Sequence, residues 1–220
     1  LKSGGALVFV GHAELASANQ LRIFADCCGL ELTNLHALAL PKSVFGIAGN
    51  YFKSLFPWNW DLGFLVKSLP NVERWQELEV GRKMVVPIIV GNDSHDNFRL
   101  FKFFGPKLAS YNRTFRVATT HVFAEDLSEG SVLDALAAGR GYVAFEILGD
   151  PAGFGFGIYD DEGEGGPATD ALHLSGEVLD YKPSLKIAIF TPRSARGARG
   201  KNVVFRIMRN NEKIREEKNF

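Results

Sequence analysis

Two continuous apolar stretches, Ala6–Val10 and Met84–Val90, constrain this chain more than any other feature. Each is too short for a membrane span, which needs roughly 18 to 20 apolar residues. Each also lacks the alternation of a strand with one wet face, so both read as strands covered on both sides, as in parallel sheets. Between them the pattern supports that reading. Gly11-His12-Ala13-Glu14 is a turn, Leu15–Cys28 has Leu15, Ile23, Phe24 and Cys27 in helical phase, and Gly29 stops that helix. Leu30-Glu31-Leu32-Thr33-Asn34 follows as a second strand. Strand, helix, strand is the unit that builds an α/β domain.

From His36 to Pro70 the apolar residues are interrupted by Pro41, Gly46, Gly49, Pro57, Gly63 and Pro70, which predicts an excursion off the sheet. A short helix is expected over Val72–Val80, ended by Gly81, and a strand over Thr114–Phe123. Ser128 opens a helix with Val132, Leu133, Leu136 and Ala137 on one face and Gly139 closing it; Tyr142–Ile147 is the next strand. Beyond Gly149 the character changes. A glycine-rich acidic stretch leads into strand candidates Leu172–Leu174, Leu185–Phe190, Val203–Met208 and Lys213–Glu216 without helices between them. Asn210-Asn211 suits a hairpin turn because Asn tolerates positive φ. The division is therefore 1–148 and 149–220, an α/β part followed by a β-rich part.

Chemistry concentrates behind the two apolar strands. Asp93-Ser94-His95 places a carboxylate and an imidazole two residues apart at the C-terminal end of one strand, and His12 follows the other in the same kind of position. Parallel α/β sheets collect their ligands at that edge. Mixed imidazole and carboxylate donors suit zinc, manganese or iron, and a metal site needs at least three such groups. A P-loop is excluded, since Gly153-Phe154-Gly155-Phe156-Gly157 lacks the following Lys and helix.

These residues resemble a family. Val8-Phe9-Val10-Gly11-His12-Ala13-Glu14 looks like a strand ending in a metal-binding His-Pro. Gly29–Asn34 looks like the "G-[IV]-E-[IV]-x-N" strand, and Gly91-Asn92-Asp93-Ser94-His95 like the "G-S-D-x-H" signature of the PHP (polymerase and histidinol phosphatase) superfamily. Glu73–Leu78, Gly81-Arg82-Lys83 and Val132–Val143 resemble the branch that includes carbamate-ester hydrolases. The resemblance covers about residues 6 to 147. It implies a partial, distorted β/α barrel followed by a small β-sandwich-like domain. It also implies divalent ions at the strand ends, and hydrolysis of phosphate esters or carbamates of small molecules by a metal-activated water. It makes His12, Asp93 and His95 metal ligands, with Glu31 supporting a ligand or the fold. The chain departs from the family in having Ala13 for the usual Pro and in lacking the opening His-x-His, the Asp-His and further Glu and His ligands. Those belong upstream of Leu1, so the expected site is incomplete in this chain. A second reading follows from the same gap: an inactive PHP-like scaffold whose C-terminal β domain binds a glycan, a polymer or a protein.

The remaining features have plainer readings. Arg140, beside Gly139 and Gly141, could reach an anionic substrate, but a cation at a helix C-terminus is favourable without function. Phe56, Trp58 and Trp60 suit either a hydrophobic lid or the plugs that dock an irregular segment. Asp160-Asp161-Glu162-Gly163-Glu164 lacks the order of a calcium loop. His36, His121 and His173 have no ligand-like companions nearby in sequence. With 25 Lys and Arg against 25 Asp and Glu, the charge gives no support for nucleic-acid binding, although basic residues dominate from Arg193 to Lys218. Adjacent Cys27 and Cys28 leave the redox compartment undecided, so a soluble cytoplasmic and a secreted or periplasmic location are both open, as is the oligomeric state.

Overall fold

A computed structural model of the chain describes residues 6–17, 20, 27–34, 70–82, 84–94, 111–146, 149–161, 172–193, 204–210 and 212–218. The chain divides into two compact units that it enters more than once. The first comprises Leu1–Val72, Ile88–Thr120 and Val143–Leu148; the second comprises Glu73–Pro87, His121–Tyr142 and Gly149–Phe220.

The first unit is organised by a parallel sheet of strands β1 (Phe9–Val10), β2 (Gly29–Asn34) and β3 (Ile88–Gly91), in the order β1-β2-β3. Val10 pairs with Leu30, and Leu30 in turn with Ile88, while the β2–β3 register shifts between Glu31 and Thr33. The central strand is buried along its whole length, its polar residues Glu31, Thr33 and Asn34 included. Leu30, Leu32, Val10 and Ala13 are buried in this unit, as are Val117 and Ala118, against which Val90 and Phe145 pack.

The expected partial β/α barrel is not formed among the described residues. Among the described residues the strands fall into four small sheets, none of them closed: β1-β2-β3, β4-β5 (Thr119–Val122, Gly141–Ala144), β7-β6-β8 and β9-β10. Barrel closure needs an unbroken backbone ladder around the ring. Here side chains interrupt it beyond β3: the Val90 N–H donates to Thr120 Oγ1 at 3.0 Å, and Asn92 Nδ2 donates to the Ala118 carbonyl at 3.2 Å. These bonds occupy positions that a fourth strand's backbone would need.

In the second unit, helix α1 begins in the first unit's sequence at Pro70 and runs to Arg82, with proline at the first position where its missing N–H is no loss. Within this unit Trp75 Nε1 donates to the Val86 carbonyl at 2.8 Å, and Glu79 Oε1 accepts from the Val86 N–H at 3.2 Å, tying the chain that leaves the helix back to it. A short helix, α2 (Tyr111–Thr114), belongs to the first unit. Helix α3 (Glu129–Ala137) is capped as its sequence predicts: Ser128 Oγ accepts from the Ser131 N–H. At its other end Gly139 takes φ +72°, a conformation costly for side-chain-bearing residues, while its N–H and that of Arg140 reach the Leu136 and Ala135 carbonyls.

The β-rich part consists of an antiparallel sheet of β6 (Gly155–Asp160), β7 (His173–Leu174) and β8 (Leu185–Phe190), and a hairpin of β9 (Val204–Arg209) and β10 (Glu212–Lys218). Asn210 occupies the turn at φ +49°, in the region Asn was expected to accept. The expected β-sandwich-like stacking is absent among the described residues, where the main contacts of β9 are with β10 and those of β8 with β6. A sandwich requires two apolar faces to cover one another. The hairpin instead leaves Val204, Met208 and Ile214 exposed among charged neighbours.

Candidate metal centre

Each strand of the parallel sheet delivers one polar residue to a common place. His12 lies two residues past β1, Glu31 stands on β2, and Asp93 lies two residues past β3. His12 and Asp93 share an uncommon feature: both adopt left-handed backbone, at φ +50° and +46°. Such a conformation costs a non-glycine residue roughly 1 kcal/mol, and at both positions it turns the chain sharply as it leaves the sheet.

Hydrogen bonds hold the group together. Glu31 Oε2 accepts from the His12 backbone N–H at 2.8 Å, so the central strand fixes where the imidazole begins. His12 Nδ1 lies 3.0 Å from Glu14 Oε1, and Nε2 lies 3.7 Å from Asp93 Oδ2. The Glu14 hydrogen bond, reinforced by the charges of Glu14, Glu31 and Asp93, holds the His12 pKa above its ordinary value against a smaller opposing effect of burial. Asn34 Nδ2 stands 3.4 Å from both Glu31 oxygens. Asn71, fully buried at the start of α1, donates from Nδ2 to Glu14 Oε2 at 3.0 Å and to the Glu31 carbonyl at 3.3 Å.

Gly91 makes room for this arrangement. A Cβ at that position would lie 1.5 Å from Glu31 Oε1 and 2.6 Å from its Cδ, so the carboxylate occupies the space a side chain would fill. The glycine expected from the motif thus has a packing reason at this site.

His12, Glu14 and Glu31 form a group that can hold a metal ion: one donor atom from each lies within 4.8 Å of the others. Its chemistry, one imidazole nitrogen with carboxylate oxygens, suits borderline and hard divalent cations. The half-exposed His12 side chain leaves the group open to solvent, whereas Glu31 is buried. Of the sequence-derived candidates, His12 and Asp93 come together. Glu31 stands among the donor groups rather than behind them. His95 lies outside the described residues, as do Phe56, Trp58, Trp60 and His36. Arg140 belongs to the other unit, where its N–H helps close α3 and its charge helps lower the Glu177 pKa. His121 stacks on Tyr142, with centroids 4.8 Å apart, and His173 Nδ1 bonds Glu177 Oε2 at 2.7 Å.

Glu14 and Asn71 were not sequence-derived candidates. Glu14 carried a readable signal, because it stands two residues from His12, the same spacing as Asp93 and His95. Asn71 carried none, being 57 residues from Glu14.

No protein-family model matches the chain, and neither a curated protein nor a solved structure matches it. Among the described residues no helix is long and apolar enough to cross a membrane.

Proposed function

We propose that this chain is a divalent-metal-dependent hydrolase acting on phosphate esters or related small-molecule esters, carbamates among them, with zinc, manganese or iron as the ion. The observation that carries the reading is the convergence of His12, Glu14 and Glu31, with Asp93 beside them, at the end of a parallel sheet. The likeness of these segments to PHP motifs supports it from the sequence side. When bound, the ion would supply a water of lowered pKa and positive charge opposite the anion that develops during ester hydrolysis.

The chain's own residues prepare that site. Glu14 Oε1 lies at hydrogen-bond distance from His12 Nδ1, which fixes the imidazole beside the carboxylates of the group. Glu31 pins the His12 backbone, and Asn71 restrains Glu14 through its second oxygen. Preorganisation of this kind removes reorientation from the reaction.

The test is hydrolysis of p-nitrophenyl phosphate and an aryl carbamate by the full chain. Turnover should vanish with chelator, return with Mn²⁺ or Zn²⁺, and fall at least about 10- to 100-fold in His12→Ala and Glu31→Gln. Turnover unchanged in a His12→Ala/Asp93→Ala variant, or no metal uptake by the wild type, would overturn the reading.

A further inference from the structure

Asn71 is fully buried, and both hydrogen bonds from its Nδ2 end on residues of the metal-binding group, Glu14 Oε2 at 3.0 Å and the Glu31 carbonyl at 3.3 Å. Its Oδ1 is buried as well and has no hydrogen-bond partner among the described residues. Turning the amide over does not relieve this. It would set Oδ1 against a carboxylate oxygen and a carbonyl oxygen, acceptor on acceptor, so the neighbours themselves dictate the orientation. A buried amide oxygen left without a partner costs roughly 1 to 3 kcal/mol. This oxygen is therefore available to a positive charge or a donor, on an amide whose nitrogen already bonds Glu14 and Glu31.

From this geometry we infer that Asn71 is a donor of the metal site, its side-chain carbonyl oxygen completing the His12, Glu14 and Glu31 set with a neutral oxygen. Amide carbonyl oxygens are hard donors of the kind that divalent cations accept beside carboxylates. The assignment gives Asn71 two linked tasks. Its nitrogen orients Glu14, and its oxygen faces the ion. The inference rests on the metal reading proposed above and adds a ligand that lies far from the others in sequence.

The experiment measures Mn²⁺ binding to the full chain by calorimetry, comparing wild type with Asn71→Leu and Asn71→Asp, each checked for folding by circular dichroism. If Asn71 only holds Glu14 in place, aspartate is the worse replacement, because it cannot donate to Glu14 and repels it. If Asn71 is a donor, aspartate restores an oxygen and leucine does not. The expected result is a loss of roughly 10- to 100-fold in Asn71→Leu, with Asn71→Asp binding more tightly than the leucine variant. Asn71→Asp binding no more tightly than Asn71→Leu would overturn the inference. Should either variant fail to fold, the wild type decides: on Zn²⁺ addition the Asn71 side-chain carbonyl carbon should shift in NMR together with the His12 ring. A His12 shift with Asn71 unmoved overturns the inference. Wild-type protein that takes up neither Mn²⁺ nor Zn²⁺ overturns this inference and the hydrolase reading together, whereas metal uptake without ester hydrolysis counts against the hydrolase reading alone.

Discussion

Replacing Gly91 with alanine tests whether the space beside Glu31 is what positions the site. The new methyl group would lie 1.5 Å from Glu31 Oε1, 2.6 Å from Cδ and 3.3 Å from Cγ, and all three of these contacts are to the Glu31 side chain. The backbone at Gly91 can therefore accept alanine, and Glu31 must move. Moving it breaks the 2.8 Å bond from the His12 N–H to a carboxylate that is almost fully buried. Hydrogen bonds to charged groups contribute roughly 1.5 to 3 kcal/mol, so the expected loss is about 2 kcal/mol in urea unfolding of the metal-free chain. In a Glu31→Ala background the same substitution meets no carboxylate. It should then be neutral or stabilising by about 0.4 to 1 kcal/mol, because alanine restricts the unfolded chain more than glycine does. The double-mutant cycle isolates this sign change. An equal cost of Gly91→Ala in both backgrounds would refute the reasoning, since the clash would then lie elsewhere.

Three further predictions concern single groups. Because Glu14 raises the His12 pKa above 6.5, the stability from this pair should be fully present below pH ~6.5 and lost as pH rises through the raised value; NMR titration of metal-free protein should show the His12 pKa falling back in Glu14→Gln, and an unchanged pKa would count against the pairing. Burial raises the Glu79 pKa above 4.5, with the Val86 N–H opposing. The folded state thus holds that proton longer than the unfolded one, stability declines as pH rises from ~4.5 through the raised value, and Glu79→Gln should make the protein more stable at pH ~7 in urea unfolding. At the β9–β10 turn, Asn210→Ala should lose roughly 1 kcal/mol for placing a methyl-bearing residue at φ +49°, whereas Asn210→Gly should lose little or nothing in thermal unfolding.

Features that depend on neighbours in sequence were legible in it. The Ser128 cap, the Gly139 stop, the Asn210 turn and strand β8 each follow from residues within one or two turns of the element, as does helix α1, although it runs through Gly81 to Arg82 rather than ending at that glycine. The parallel character of β1 and β2 was readable too, since the opening of the chain reads as strand, helix, strand, the unit that builds parallel sheets. The site was half legible. His12 and Asp93 announced themselves as polar residues behind apolar strands, whereas Glu31 stood out only through the resemblance of its strand to a family motif.

Among the described residues no barrel forms, despite the motifs. Whether a sheet continues past β3 depends on which groups meet the Val90 N–H and the Ala118 carbonyl, and the partners are Thr120 and Asn92, residues that look like ordinary strand and loop positions in the sequence. The same holds for Asn71, whose place against Glu14 and Glu31 is set by packing of the α1 start. Sequence by itself determined the local elements and the polar ends of the buried strands, because caps, turns and hydrophobic period act over a few residues. Only the tertiary structure decided where the sheet stops and which groups surround His12, because hydrogen bonds between distant segments depend on packing that no local pattern encodes.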